Sequence, residues 1–490
     1  MEPLGGILVA AVVASVAYLL AMVKGRARAA AWQSAASAVG LTDVEEIESF
    51  GIPARTIGRS GPLEVTLERY QRGKTESGTR ITVRGMGHDL GGLSLRREGL
   101  ATAFEKAVGE REIELGDAAF DAELYVQGSA PLARAVLDVK TRRAVVELLR
   151  GHIPAGGGGS VAARVTLAGD ALRADLQQRA FMPPSERLPE VLGTLLAVAR
   201  RLSAPADIAR RIADNLRTEP EAGVRLQCLL MLVREFGDRE ATREALLAAR
   251  SDASEEVRLR AGIALGDEGR EVLLDLAGAE GTADPLAAGA IAALAGQLPR
   301  QRTEEILLRA LRARRVATAR ACIETLGHAG DPGGIATLAR VLALETGELA
   351  VAAALALGAL GQPAAQPALG GALASAAPPV RAAAAAALGR IGDAGAVPPL
   401  RAAAASSSAD GALKRAVRQA VAEIQSRLTG AAPGQLSLVA EGAESGRLSL
   451  VDTGGGAAGR ISLADPAGER EQASGEVDHT PARRGTERTH

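Results

Sequence analysis

Five glycines, Gly266, Gly296, Gly327, Gly358 and Gly389, recur at steps of 30, 31, 31 and 31 residues. Each follows a small or aliphatic residue: Leu265, Ala295, Leu326, Leu357 and Leu388. In the last three units Gly330, Gly361 and Gly392 keep the same step, as do Leu338, Leu369 and Leu400. A chain that repeats itself at such a period does not gather around one central core. Each unit buries its apolar face against the next, which is the pattern of a solenoid.

The unit reads as two short helices. In the last copy, residues 380–391 form a first helix with no internal proline, and Gly392-Asp393-Ala394-Gly395 is a turn. Pro398 and Pro399 then fall in the first turn of a second helix, where a missing N–H costs nothing. Asp393 is placed to accept from the free amides of that helix start. Helices of about three turns are marginal alone, so stacking between units must stabilise them. Glycine and alanine at the contacts let the helices approach closely.

The phrases Val257-Arg258 leading to Leu265-Gly266-Asp267, and Val380-Arg381 leading to Leu388-Gly389-Arg390-Ile391-Gly392-Asp393, resemble the HEAT-repeat family. The short unit is similar to the form named after bilin lyases, and the chain resembles bacterial HEAT-repeat proteins with an N-terminal membrane anchor. The resemblance covers roughly the second half of the chain and implies an α-solenoid. It says little about activity, because repeat folds host many functions. Arg258 and Arg381 are expected to be framework residues that pair with turn carboxylates between units.

At the amino terminus, residues 4–23 carry no charge, with Glu2 before them and Lys24, Arg26 and Arg28 after. Twenty helical residues rise ~30 Å, the depth of a bilayer core. A transmembrane anchor is the expectation, with a cleaved signal peptide and a buried core helix as rivals. The flanking charges would leave the body in the cytoplasm as a single-pass protein of a bacterial inner membrane. Trp32 is expected either at the bilayer interface or in the core.

The texture then changes. Residues 54–58, 63–71 and 79–84 alternate or are β-branched like strands, and residues 93–96, 112–115 and 124–127 add shorter ones. Residues 132–149 read as one amphipathic helix, and 161–167 with 171–176 as a hairpin around Gly169-Asp170. The expected class is therefore mainly α with an α+β domain. Its parts are a transmembrane anchor at 1–28, an α+β domain at 29–180, a HEAT-like α-solenoid at 185–428, and a disordered tail at 429–490.

The tail repeats itself too. Gln435-Leu436-Ser437-Leu438, Arg447-Leu448-Ser449-Leu450 and Arg460-Ile461-Ser462-Leu463 recur at 12 and 13 residues. Alternation of this kind suits an extended peptide added to a sheet edge, with Leu436, Leu438, Leu448, Leu450, Ile461 and Leu463 as the docking side chains. Packing on the protein's own solenoid, or drift in a low-complexity segment, are the other readings. A basic stretch, Arg309, Arg312, Arg314 and Arg315, offers anion contact through Arg309, Arg312 and Arg315. It equally suits a helix that starts with Glu304 and Glu305 and ends in cations, with Glu305 facing Arg309.

Composition narrows the functions. A net charge of -1 gives no field for nucleic acid, and aromatic residues at 2% are too few for base-stacking surfaces. Five scattered histidines and two cysteines, Cys228 and Cys322, make no metal-ligand spacing. Asp117, Asp121 and Glu123 lie close in sequence but form no recognised calcium loop. No catalytic constellation is visible, so no cofactor, metal or nucleic acid is expected. The reading is a non-enzymatic, membrane-anchored scaffold or adaptor that binds a protein partner. The resemblance alone adds a bilin lyase-like or other tetrapyrrole-handling enzyme as the alternative, against which stands a solenoid nearly free of aromatic residues and histidines.

Overall fold

The computed structural model describes residues 3–72, 76–87, 93–97, 112–155, 159–177, 187–427, 436–437 and 449–450. The chain divides into two compact units, Met1–Ala329 and Gly330–His490.

The first unit begins with α1 (Pro3–Ala38), a single helix of 36 residues. Side chains are described from Ala11 onwards, and from there any stretch long enough to span a bilayer takes in Lys24, Arg26 and Arg28. Among the described residues no helix is long and apolar enough to cross a membrane. The expected transmembrane anchor, and the single-pass inner-membrane placement with it, are corrected on that finding. The last turns of α1 belong to the core, where Trp32, Ala35 and Ala36 are fully buried. Trp32 donates its indole N–H to the hydroxyl of Thr79 at 3.3 Å.

Alternation of apolar and polar residues builds the sheet that α1 covers. The strands are β1 (Thr42–Ser49), β2 (Ile52–Ser60), β3 (Leu63–Arg72), β4 (Glu76–Arg84), β5 (Ser94–Arg97), β6 (Leu124–Gln127), β7 (His152–Ala155), β8 (Gly159–Ala168) and β9 (Ala171–Gln177). Their order is β1-β2-β3-β4-β9-β8-β5-β6, with β7 on β8. Leu63, Val65 and Leu67 of β3, Ile81 and Val83 of β4, and Leu172, Ala174 and Leu176 of β9 turn one way into the core. The other face is polar: Arg80 stands opposite Asp175 and grips it at 2.6 Å.

Two expectations differ here. The stretch 112–115 is not a strand but an irregular segment bonded through Ile113 N–H to the Val126 carbonyl at 2.9 Å. The stretch 132–149 is two helices, α3 (Ala130–Val136) and α4 (Val139–Leu149), preceded by the short α2 (Ala118–Glu123). Asp138 breaks the run, because its side chain accepts from Thr141 N–H at 2.8 Å and starts a new helix. Helix α5 (Leu188–Leu202) packs on α1, β4 and β7, and buries Leu188, Val191, Leu192, Leu195 and Leu196.

Helical hairpins follow within the same unit: α6 (Ile208–Thr218), α7 (Ala222–Phe236), α8 (Glu240–Ala249), α9 (Glu255–Leu265), α10 (Arg270–Gly278), α11 (Asp284–Ala293), α12 (Arg300–Arg312) and α13 (Val316–His328). The second unit continues the pattern with α14 (Ile335–Leu344), α15 (Gly347–Ala359), α16 (Gln366–Ala372), α17 (Pro378–Ile391), α18 (Val397–Ala405) and α19 (Gly411–Arg427). The repeating glycines have two uses. Gly266, Gly296, Gly330 and Gly361 have φ of 59–81°, which ends a helix without a Cβ penalty. Gly358 and Gly389 lie inside or against helices and permit close contact. In the last unit Asp393 accepts from Gly395 N–H at 2.9 Å, and Pro398 and Pro399 lie in the first turn of α18.

Candidate functional site

Arginines near the starts of several first helices turn back onto the preceding loop. Arg225 donates to the Glu219 carbonyl at 3.0 Å and the Pro220 carbonyl at 2.8 Å, and its fork grips Asp252 at 2.8 Å. Arg258 donates to the Asp252 carbonyl at 2.8 Å. In the second unit Arg381 donates to the carbonyls of Ser375 and Ser408, both at 2.9 Å. Helix and loop ends leave carbonyls without partners, and a guanidinium has five donors to offer them. For Arg258 and Arg381 the main partners are thus carbonyls and not the expected carboxylates. Residues 375–377 contain no carboxylate at all, and Glu255 stays 3.8 Å from Arg258.

The same wiring creates a cleft of about 520 Å³ beside α10, α12 and α13, lined by Glu280, Arg309, Arg312 and Arg315 among others. Arg309 was expected to face Glu305. It turns instead to the last carbonyl of α10, at Gly278, at 3.2 Å, while Glu305 takes Arg302 at 3.1 Å. The Nη2 atom of Arg309 is covered by protein and has no hydrogen-bond partner among the described residues. Arg315 donates to the carbonyls of Ala279 at 3.2 Å and Thr282 at 2.6 Å. Arg312 is exposed at the mouth.

Asp284 fixes one wall. Its carboxylate accepts from the backbone N–H groups of Ala317 and Thr318 at 2.9 Å and from the Thr318 hydroxyl at 2.6 Å, capping α13 from the neighbouring hairpin. Burial pushes its carboxyl upward, but the Thr318 and Ala317 bonds and the Arg315 charge outweigh this and hold it below the ordinary value.

Other residues singled out from sequence separate. Asp117 caps α2 and receives Arg142 Nε at 2.9 Å, Asp121 accepts from Leu115 and Gly116 N–H, and Glu123 pairs with Arg150 at 2.8 Å. Each carboxylate serves a different structural partner. Cys228 and Cys322 are buried as separate free thiols, and burial pushes both up to about 12. In the tail, Leu436 stands opposite Leu450 and Ser437 opposite Ser449, so the first two phrases meet as a short antiparallel pair. Leu438, Leu448, Ile461 and Leu463 lie outside the described residues.

Sequence reading missed Arg225 and Arg142. Their carboxylate partners, Asp252 for Arg225 and Asp117 and Glu219 for Arg142, lie 27, 25 and 77 residues away, so no local spacing announces them. The Arg309 reorientation was equally hidden, since the competing Gly278 carbonyl lies on another hairpin.

Residues 344–423 match the HEAT repeats family. No curated protein matches the chain. Among solved structures, the chain is similar to human deoxyhypusine hydroxylase in complex with glycerol, at 17% identity, over 45% of this chain and 98% of that one. The TM-score is 0.20, a likeness that carries no argument.

Proposed function

We propose that the protein is a non-enzymatic scaffold whose helical repeats hold a partner protein by an acidic segment seated in the cleft beside α10, α12 and α13. HEAT repeats suggest a protein-interaction role, and residues 344–423 match them. The observation that carries the finer reading is the concentration of Arg309, Arg312 and Arg315 around one cleft, with Arg312 exposed at its mouth. Carboxylates meet guanidinium groups in paired, charge-assisted hydrogen bonds, so an acidic peptide suits this surface. The Leu-Ser-Leu phrases of the tail supply extended segments to the same partner and would raise its effective concentration. Nothing among the described residues favours tetrapyrrole handling.

The test uses a fluorescently labelled peptide rich in Asp and Glu and its Asn/Gln counterpart, titrated into the full chain by anisotropy. The acidic peptide should bind more tightly, weaken as salt rises, and weaken by about tenfold in Arg312→Gln. Equal binding of both peptides, or an unaffected Arg312→Gln variant, overturns the assignment of this cleft. Purification with and without residues 430–490 then tests the contribution of the tail.

A further inference from the structure

A second cleft lies in the first unit, where α1 crosses the β1–β2 hairpin. It measures about 600 Å³ and is lined by Ala17, Leu20, Lys24, Arg28, Ile52 and Arg69 among others. The α1 residues Ala17, Leu20, Lys24 and Arg28 fall at helical spacing on one stripe. The stripe is apolar at Ala17 and Leu20 and basic at Lys24 and Arg28. From Ala17 to Arg28 it rises roughly 16 Å along the helix axis.

Among the described residues no carboxylate lines the cleft. Lys24, Arg28 and Arg69 make no ion pair among the described residues. Arg28 is half-buried, and burial, then the neighbouring charge of Arg69, pulls its guanidinium below the usual range. Its nearest favourable contact is the face of Trp32, 5.9 Å from the ring centroid. Two guanidinium groups and an ammonium thus line one cleft, a concentration of cationic donors that an anionic head complements.

The hairpin that closes the cleft is held against α1. Phe50, at the tip of the hairpin, has φ of 52° and is 93% exposed. Positive φ at Phe50 and at Gly51, 71°, is what a two-residue turn joining β1 to β2 requires. Tyr18 of α1 fastens the tip by donating to the Phe50 carbonyl at 3.1 Å. Gly25 lets the strand come close, because a Cβ there would meet Ile52 Cγ2 at 2.6 Å. The hairpin is therefore fixed beside an apolar helix face that leaves Val16, Leu19, Leu20 and Val23 exposed.

We propose that this cleft binds an anionic amphiphile, with a phosphate-bearing head between Lys24, Arg28 and Arg69 and an alkyl chain along Leu20 and Ala17. Charge complementarity selects the head, and the apolar stripe that continues it selects a chain over a bare ion. The site shares no residue with the arginine-lined cleft of the repeats, so the two readings stand or fail separately.

Trp32 is the one tryptophan of the chain and already touches Arg28, so it reports on this site. The full chain is titrated with dihexanoylphosphatidylglycerol below its micellar concentration while Trp32 emission is followed. A saturable change is expected, and Lys24→Gln and Arg69→Gln should each weaken it by about tenfold. Leu20→Gln, at an exposed position, leaves the fold intact and should weaken binding of the dihexanoyl probe. Three further titrants separate the sources of binding. Dihexanoylphosphatidylcholine and inorganic phosphate should both bind at least tenfold more weakly, and a butyl-chain analogue should be intermediate. An equal response to the zwitterionic probe, an equal response to inorganic phosphate, or no saturable change overturns the proposal.

Discussion

Gly358 of α15 lies directly against Ala387 of α17: a Cβ built on the glycine would sit 2.8 Å from both the Cα and the Cβ of the alanine. One unit later Gly389 stands in the same relation to Ala420, again at 2.8 Å from its Cα. These distances are far below ordinary carbon contact, and the obstacle is backbone, which cannot rotate away. Gly358→Ala should therefore push the two helices apart and destabilise the second unit by about 1–3 kcal/mol. Gly371, in the last turn of α16, provides the contrast, since nothing lies within 4 Å of its hypothetical Cβ. Gly371→Ala should be neutral or stabilising by about 0.5–1 kcal/mol. Urea melts of both variants check the pair. Equal effects would mean that the glycines matter for chain entropy and not for helix approach.

Arg381 ties two loops of that unit together through the Ser375 and Ser408 carbonyls. Arg381→Met keeps the apolar stem and removes the donors, leaving the carbonyls without partners. The expected loss is about 2–3 kcal/mol. Arg381→Lys should recover little, because one ammonium cannot span both loops as the planar fork does. If lysine restores the thermal midpoint, charge and not geometry is what the position supplies.

In the first unit Arg142 and Glu219 form an almost fully buried pair, 2.9 Å apart, with side chains 2% and 1% exposed. Arg142 also donates to the Leu137 carbonyl and to Asp117, and Glu219 accepts from Val139 N–H. Burial opposes the charge on Arg142, but the Glu219 bond and charge outweigh it and raise its guanidinium above the usual value. Glu219→Gln leaves that guanidinium short of its main counter-charge, and should cost about 3–5 kcal/mol. The double variant Arg142→Met/Glu219→Leu should be markedly less damaged than the single one, because it removes both buried charges. A double variant worse than Glu219→Gln would show that the network stabilises beyond what apolar packing can replace.

The sequence made the repeats plain because their signal is periodic and local. Gly358 and Gly389 mark close helix contacts, Gly361 a left-handed turn, and Asp393 a cap, all readable from spacing. What spacing could not supply was competition among partners. Asp138 cut one apparent helix in two because a cap outbid continued periodicity. β1 went unread because Thr42–Ser49 is acidic and exposed throughout, and only pairing with β2 makes it a strand. The apolar terminus looked like a free-standing span, whereas α1 runs on through three basic residues into the core at Trp32. The arginine cleft was half legible. Its residues were visible as a basic run, but their bonds to Gly278, Ala279 and Thr282 depend on another hairpin.

Acid should loosen the wall of that cleft through Asp284. Its folded carboxyl lies below the ordinary value of 3.8, held there by Thr318 and Ala317 against the effect of burial. A carboxyl depressed in the folded state binds its proton more readily when unfolded. The stability it adds is therefore fully present above about pH 4 and is lost as pH falls through the folded value. Asp252 is depressed in the same sense, with burial opposing and Arg225 prevailing, so it adds to the acid sensitivity. Asp121 is shifted upward by burial and acts in the opposite sense. Comparing the chain with its Asp284→Asn variant isolates one contribution. At pH 7 the variant should be less stable in urea, and the gap should shrink as pH is lowered below 3.8. A gap that stays constant down to pH 2.5 would mean that Asp284 acts through shape alone, and that its charge does nothing to hold α13.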